Sequence, residues 1–208
     1  MADLTILGRV SSINVRKVMW TADLIGLAYE TETWGLPHRD PREAEFLKLN
    51  PNAQVPVILE AGFVLWESGA IMRYLAERHR AGLFPADLRE RALVDQWMTW
   101  QATELNLPWM YAVLALLRRN PAYADPERIA DSIARWTIEM RILEGHLAQA
   151  GRFVANDRLS LADIALALAT HRWASTPFDK PALPAVMAHY RMLQATAEGE
   201  KYMGERTP

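Results

Sequence analysis

The segment Asn50–Leu59, NPNAQVPVIL, is followed after a three-residue connection by Phe63–Ile71, FVLWESGAI. The second half of the first piece and the first half of the second are β-rich apolar runs, so together they predict a hairpin. Pro56 lies inside the first run, and because proline has no amide hydrogen it marks a sheet edge, a strand start or a break in the ladder. A cis bond between Val55 and Pro56 is one way to make such a break.

The backbone beside this break predicts a binding site for an extended peptide. Around Val55, N–H and C=O groups that no ladder uses can pair with a ligand as an added strand. Glu67 and Ser68 then open a segment with helical spacing, and the N-terminus of a helix attracts a carboxylate. Each feature taken alone also occurs as ordinary structure wherever a hairpin precedes a helix. Their combination predicts a site for a short peptide with an anionic end.

The order and spacing of these features resemble one protein family. Asn-Pro-x-x-x-Val-Pro followed by Trp-Glu-Ser-x-Ala-Ile-x-x-Tyr-Leu is similar to the glutathione-binding half of a cytosolic glutathione transferase. The resemblance implies an α/β thioredoxin-like N-terminal domain and an all-α C-terminal helical domain. It also implies that Gln54, Val55 and Pro56 hold the peptide backbone of glutathione. Glu67 and Ser68 would hold the amino and carboxylate groups of its γ-glutamyl end.

The chain begins with a predicted strand, helix and strand. Leu4–Leu7 is a short apolar run, residues 15–25 have helical spacing, and residues 29–34 alternate as a strand. Ligands bind such a unit at the carboxyl end of its first strand, and Ser11 and Ser12 lie in that turn. One of these hydroxyls can equally be a simple helix cap.

The resemblance implies a catalytic role for this turn. Residues 12–18, Ser-Ile-Asn-Val-Arg-Lys-Val, are similar to the first-helix entry of serine-type glutathione transferases, where the serine at the position of Ser12 hydrogen-bonds the glutathione sulfur. Some neighbouring classes place this hydroxyl at Ser11, so both serines are candidates. A free thiol has a pKa of about 8.5 and its thiolate is the nucleophile, so a hydroxyl donor at a helix N-terminus promotes reaction. The serine is not itself predicted to be a nucleophile, because no Gly-x-Ser-x-Gly elbow occurs.

A polar connection, Gly35–Glu45, follows the predicted second strand. In the family this region supplies a side chain to the glycine carboxylate of glutathione. His38, Arg39 and Arg42 are candidates here, and we favour His38 and Arg42 equally. A solvated loop is the alternative interpretation of each. One departure from the family pattern is Ala53, since glycine is commonest at that position, and alanine restricts the turn geometry.

The second half of the chain predicts only helices. A polar segment containing Gly82 and Pro85 separates it from the α/β half, so we expect domains at residues 1–80 and 88–205. Apolar spacing predicts one long helix that reaches residue 117 and bends near Pro108. Another helix begins at Asp125-Pro126.

Two further features of this half connect it with the family. Ser160 and Asp163 form a predicted capping box, a structural feature that also opens the central buried helix of glutathione transferases. The inner face of the long bent helix borders the electrophile pocket in the family. The candidate pocket residues here are Trp109, Met110, Val113 and Leu114, although tryptophans in helices are more often core residues.

Composition excludes several function classes. The 208 residues contain no cysteine, which rules out disulfides, cysteine-ligated metals and cysteine nucleophiles. A formal net charge of −2 from interspersed charges is unlike a nucleic-acid binder. The five scattered histidines and the lack of a phosphate-binding loop predict neither a metal nor a nucleotide cofactor. We see no signal peptide and no membrane-spanning run, so we expect a cytoplasmic protein without membrane partners.

The resemblance, which these exclusions do not oppose, implies a glutathione transferase that uses glutathione as co-substrate for the detoxification of a small hydrophobic electrophile. The resemblance also implies a homodimer, with Met72, Trp97 and Trp100 near the interface. Dehalogenation, β-ether cleavage and isomerisation are alternative reactions of the same site. Cysteine-dependent thioltransferases are disfavoured because the chain has no cysteine. A non-catalytic interaction module of this fold is the alternative outside enzymes.

Overall fold

The structure, a computed structural model, describes residues 3–79 and 82–204. The predicted domain limits at residues 1, 80 and 205 lie outside these ranges. Contacts separate the described chain into two units, one ending at Phe84 and the other beginning at Pro85. The first unit combines strands and helices, and the second contains helices.

The first unit is built on a four-stranded mixed sheet. Its elements in chain order are β1 (Leu4–Leu7), α1 (Ile13–Ile25), β2 (Glu30–Glu32), α2 (Ala44–Leu47), β3 (Val57–Glu60), β4 (Phe63–Trp66) and α3 (Ser68–Arg78). The strand order is β2-β1-β3-β4, with β1 parallel to β2 and antiparallel to β3, and β4 antiparallel to β3. The predicted thioredoxin-like α/β domain is therefore confirmed.

Turn residues explain where the elements of this sheet end. α1 ends at Gly26, whose φ of 76° is a left-handed conformation that glycine adopts without a Cβ penalty. β2 is shorter than the predicted strand because its partner β1 ends at Leu7, which pairs with Glu32, and the chain then turns at Gly35, where φ is 107°. Trp34 instead packs on Phe46, with ring centroids 4.8 Å apart, in the buried cluster that includes Leu7.

The predicted break at Pro56 separates a loop from strand β3. The Val55–Pro56 peptide bond is cis, and β3 begins only at the following residue. There Val57 pairs with Leu7 of β1 and with Trp66 of β4. The backbone of the residues before Pro56 thus lies outside the sheet.

The second unit consists of helices, as the sequence predicts. Its elements are α4 (Leu88–Trp100), a π-helical turn (Gln101–Leu105), α5 (Trp109–Ala112), a second π-helical turn (Val113–Leu117), a 3-10 turn (Pro121–Tyr123), α6 (Pro126–Ala150), α7 (Leu161–Ser175), α8 (Pro184–Gln194) and α9 (Ala197–Tyr202). α6 begins at the predicted place, since Asp125 accepts hydrogen bonds from the Glu127 and Arg128 amides. α7 is buried from Leu161 to Trp173 and is the central helix of the unit. Within the described residues, no helix is both long and apolar enough to cross a membrane.

The predicted long helix is irregular near Pro108. Residues 106–108 form turns between a π-helical turn and α5, although Asn106 and Pro108 keep right-handed helical dihedral angles. Ser132 satisfies the polar backbone groups at the break, because its hydroxyl donates to the Pro108 carbonyl and accepts from the Ala112 amide. A side chain from α6 thus supplies the hydrogen bonds that these two backbone groups do not make with each other.

Candidate active site

A cavity of about 110 Å³ lies beside the start of β3 in the first unit. Its walls come from the first turn of α1, the loop before β3 and the beginning of α3. They are formed by Asn14, Asn50, Gln54, Val55, Pro56, Glu67 and Ser68. The cavity therefore brings together the two sequence segments for which a peptide site is expected, and it adds two asparagines.

Asn50 shapes the loop before β3. Its buried side-chain amide donates to the Gln54 carbonyl at 2.8 Å, and its Oδ1 accepts from the backbone and the side-chain amides of Asn52, both at 3.0 Å. These bonds commit the side chain of Asn50 to holding the loop. Sequence reasoning missed this role, although Asn-Pro is a turn signature in which asparagine commonly bonds the backbone two residues later.

Two non-glycine residues beside the cavity have left-handed backbone conformations. Ala53, where the family pattern has glycine, has a φ of 53°, and Glu67 has a φ of 72°. Such conformations cost on the order of 1–3 kcal/mol each and persist only where the surrounding structure imposes them. The cavity is thus bordered by backbone that is strained on both sides.

The beginning of α3 offers groups for a zwitterion. Glu67 is the N-cap residue, its side chain makes no capping bond, and its carbonyl accepts from the Ile71 amide at 2.9 Å. Ser68 is buried and is the first helical residue, and the first turn contains no acidic side chain. The free N–H groups and the helix dipole therefore attract an anion, while the Glu67 carboxylate attracts a cation. An α-amino acid end carries both charges side by side.

The beginning of α1 leaves a serine hydroxyl uncommitted. Ser12 is the N-cap residue and is half-buried, yet its side chain makes no capping hydrogen bond. The helix still starts normally, because the Ser12 carbonyl accepts from the Arg16 amide at 3.1 Å. Ser11 is exposed and has an interaction of its own. Neither serine lines the 110 Å³ cavity, whereas Asn14, the second residue after Ser12, does.

The electrostatics at the start of α1 favour an anion. The first turn of α1 contains no carboxylate. The helix dipole adds a partial positive charge at the same end. A thiol placed here is expected to have a pKa below its usual value, because nearby positive charge favours the thiolate.

The predicted loop candidates do not line the cavity. The Arg39 guanidinium lies 3.6 Å from the Trp34 ring centroid, so Arg39 serves the fold. Its ion-pair partners are the carboxylates of Glu32, Glu43 and Glu45. His38 and Arg42 are exposed, and their side chains make no hydrogen bond or ion pair within residues 3–79 and 82–204.

The four candidate electrophile residues lie in the second unit and differ in exposure. The Trp109 indole donates to Asn106 Oδ1 at 3.0 Å, and the Arg172 guanidinium lies 4.4 Å from its ring centroid. Val113 is buried and Leu114 is half-buried. Met110 is 47% exposed and offers the most accessible apolar surface of the four. Among the residues that the structure describes, no group of three or more acidic or histidine side chains is placed to hold a metal ion.

Sequence comparison relates the chain to known enzymes. Residues 2–77 match the model for the glutathione S-transferase N-terminal domain. Glutathione S-transferase GstB of Escherichia coli strain K12 is 32% identical over 79% of this chain and 80% of the relative. Glutathione S-transferase theta-1 of Bos taurus is 30% identical over 66% of this chain and 60% of the relative.

Solved structures extend the similarity over both units. The theta class glutathione S-transferase of Xanthomonas axonopodis pv. citri, with glutathione bound, is 31% identical with a TM-score of 0.93 and covers 98% of each chain. A glutathione S-transferase from Pseudomonas fluorescens is 27% identical with a TM-score of 0.85, and covers 95% of this chain and 97% of the other.

Proposed function

The chain belongs to the glutathione S-transferase family, and we propose that it joins the glutathione thiolate to a small hydrophobic electrophile, with the Ser12 hydroxyl stabilising the thiolate. The observation that carries the proposal is the polar cavity beside β3. It combines a carboxylate, a helix N-terminus and loop backbone outside the sheet, each of which complements one part of glutathione.

Each end of the tripeptide has a matching group. The Glu67 carboxylate pairs with the γ-glutamyl ammonium group, and the Ser68 hydroxyl with the first amides of α3 binds the γ-glutamyl carboxylate. The backbone of Gln54 and Val55 pairs with the cysteinyl residue as an added strand. The glycine carboxylate is assigned to His38 or Arg42, whose side chains are exposed and not used by the fold.

The Ser12 hydroxyl donates a hydrogen bond to the glutathione sulfur. Because this bond is stronger to a thiolate than to a thiol, it lowers the thiol pKa, and the proton leaves to solvent. The sulfur lone pair then forms the bond to the electrophilic carbon, while the leaving group departs with its bonding electrons. Holding both reactants together makes the attack effectively intramolecular, so a strong general base is not required.

Exposed apolar side chains of the helical unit suit a hydrophobic second substrate. The side chain of Leu107 is 67% exposed and that of Met110 is 47% exposed. The two residues are three positions apart, so two large apolar groups lie on the same segment. Val113 is buried and serves the interior. We therefore assign electrophile contacts to Met110 first, with Trp109 and Leu114 beside it.

We propose a homodimer that uses strand β4. This strand forms an edge of the sheet, and its Phe63, Val64 and Trp66 side chains are exposed. Proteins normally cover or charge an apolar edge of this kind. Met72 and Trp97, predicted near the interface, are buried within the chain and are not available to a partner. A single-chain mass by light scattering would exclude the dimer.

We place the reaction in the cytoplasm, where the glutathione pool is kept reduced.

Ultraviolet difference titration of glutathione bound to the wild-type protein tests the function. We expect thiolate absorbance at least about one pH unit below the free thiol pKa of about 8.5. S-methylglutathione is the matched control, because it keeps every group except the titrating thiol. Absence of glutathione binding at millimolar concentration would overturn the proposal in favour of an interaction module. Binding without a lowered thiol pKa would overturn thiolate activation.

A further inference from the structure

Asn14 lines the cavity on the side formed by α1, and we propose that its side-chain amide donates a second hydrogen bond to the glutathione sulfur. This inference rests on the proposed function, since it assigns a further contact to the same thiolate. It starts from an observation that the serine assignment leaves unexplained. The residue of α1 that lines the cavity is Asn14, whereas Ser11 and Ser12 do not line it.

The two asparagines of the cavity differ in how the fold uses them. Asn50 is buried and makes three side-chain hydrogen bonds, which hold the loop before β3. Asn14 is half-buried, and its amide makes no hydrogen bond to any other residue in the described ranges. The side-chain nitrogen and oxygen of Asn14 are not fully buried, so water reaches them, and a ligand group can replace that water. Asn14 is therefore placed to serve a ligand.

The layout of the cavity indicates which part of glutathione Asn14 meets. Glu67 and Ser68 form the end that binds the γ-glutamyl charges, and the loop at Gln54 and Val55 binds the cysteinyl main chain. The remaining wall belongs to the first turn of α1, and Asn14 is its only lining residue. The glycyl end is assigned to His38 or Arg42, which do not line the cavity, so the part of glutathione left for this wall is the cysteinyl side chain. We therefore place the sulfur next to Asn14.

A carboxamide is chemically suited to this position. Its Nδ2–H groups are donors that do not titrate, so Asn14 cannot act as a base and works only through the hydrogen bond. A donor bonds an ionised acceptor more strongly than a neutral one, so the bond favours thiolate over thiol. The position is the second residue of α1, where the dipole acts in the same direction and no carboxylate opposes it. In this proposal Asn14 in the cavity wall and Ser12 two residues before it, at the N-cap, both donate to one sulfur.

Two substitutions of Asn14 test the assignment by the pKa of bound glutathione. Asn14→Ala removes the donor, and we expect the bound thiol pKa to rise by about one unit, a tenfold change in the ionisation equilibrium. Asn14→Asp keeps the shape but replaces the donor with a negative charge, so the rise is expected to be larger. Affinity for S-methylglutathione is expected to change less than about threefold in Asn14→Ala, because that ligand has no thiolate to stabilise. Gln96→Ala, which removes a carboxamide from an exposed site on α4, is the matched control and should change neither quantity.

The outcomes separate this inference from the function on which it rests. A wild-type protein that fails to bind glutathione or to lower the thiol pKa removes the proposed function itself. A wild-type protein that lowers the pKa, with Asn14→Ala doing so equally well, overturns the role of Asn14 and leaves Ser12 as the donor. A loss of S-methylglutathione affinity in Asn14→Ala as large as the change in thiol ionisation would also overturn it, because it would show a general binding role. A pKa rise in both Asn14 variants with S-methylglutathione binding preserved supports the assignment.

Discussion

Serine occupies the N-cap position of both α1 and α7, yet the two residues are used in opposite ways. Ser12 is half-buried, and its side chain makes no capping bond. Ser160 is buried, its hydroxyl donates to Asp163 at 2.7 Å, and its amide donates to the same carboxylate at 2.9 Å. The same residue type thus completes the structure at one helix and is left for a ligand at the other.

The surroundings of the two serines differ in the same sense. Asp163 also accepts from the Val154 amide at 2.8 Å and lies 2.9 Å from Nε2 of His189, so both of its carboxylate oxygens are hydrogen-bonded at the start of α7. Around the cavity beside α1, Ala53 and Glu67 hold strained backbone, and the side chains of Asn14, Gln54, Glu67 and Ser68 make no hydrogen bond within the residues that the structure describes. Binding sites commonly keep such unfavourable features because a ligand compensates them.

The largest effect on this comparison is expected from Asp163→Asn. The substitution replaces an acceptor oxygen with an NH₂ group that opposes the donors around it, and we expect a loss of about 3 kcal/mol of stability. Thermal and urea unfolding measure the loss, with Asp157→Asn, at an exposed position in the segment before α7, as the control. The thiol pKa of glutathione bound to the folded fraction should not change. A loss below about 1 kcal/mol would show that the paired carboxylate matters little to the fold.

A matched pair of serine substitutions comes next. Ser12→Ala is expected to raise the bound thiol pKa by about one unit or more and to lower kcat/KM by roughly 10- to 100-fold, because one donor to the thiolate is lost. Its unfolding free energy should change by less than about 0.5 kcal/mol, since no capping bond is removed. Ser160→Ala is expected to do the reverse, with a loss of about 1–2 kcal/mol in stability and an unchanged thiol pKa. A pKa rise in Ser11→Ala instead of Ser12→Ala would move the catalytic role to Ser11.

The smallest effect is expected from Ala53→Gly. Glycine adopts the left-handed conformation of this position without a Cβ penalty of roughly 1–2 kcal/mol, but it also loosens the unfolded chain. The free energy of unfolding, measured by thermal unfolding, should therefore rise by about 0.5–1 kcal/mol. Ala92→Gly, at an exposed helical position of α4, should lower stability by about 1 kcal/mol. Stability losses in both variants would show that Ala53 is not strained.

Local patterns in the chain were enough for the architecture and part of the cavity. The hairpin at β3 and β4, the helix stop at Gly26 and the capping box at Ser160 all depend on residues within a few positions of each other. Gln54 and Ser68 belong to one continuous motif, so their shared position in a cavity also follows from short-range spacing. Such features are predictable because backbone propensity and side-chain periodicity act over one or two turns.

Other outcomes depended on residues far apart in the chain. The Pro108 carbonyl accepts a hydrogen bond from Ser132, 24 residues later, and this contact has no sequence signature because it arises from packing between separate elements. The partners of Arg39 are nearer, since Glu32, Trp34, Glu43 and Glu45 lie within seven residues of it, but they surround it only because the loop after β2 folds back on itself. The role of Asn50 was missed although its partners are local, because an Asn-Pro turn predicts a bend in the chain without specifying which groups the asparagine side chain bonds.

Sequence alone was sufficient to predict the glutathione transferase fold and the segments that form its peptide site, because short motifs in a fixed order specify both. Tertiary structure was needed to learn which polar side chains form hydrogen bonds within the protein and which are available to a ligand. Ser12 and Ser160 are the same residue at the same helix position, but a local difference already favours pairing at Ser160, because Asp163 lies three residues after it whereas Val15 lies three residues after Ser12. Only the tertiary structure shows that Asp163 is also held by the Val154 amide and His189, and that the Ser12 side chain makes no capping bond near the cavity that Asn14 lines, because packing between separate segments creates these surroundings.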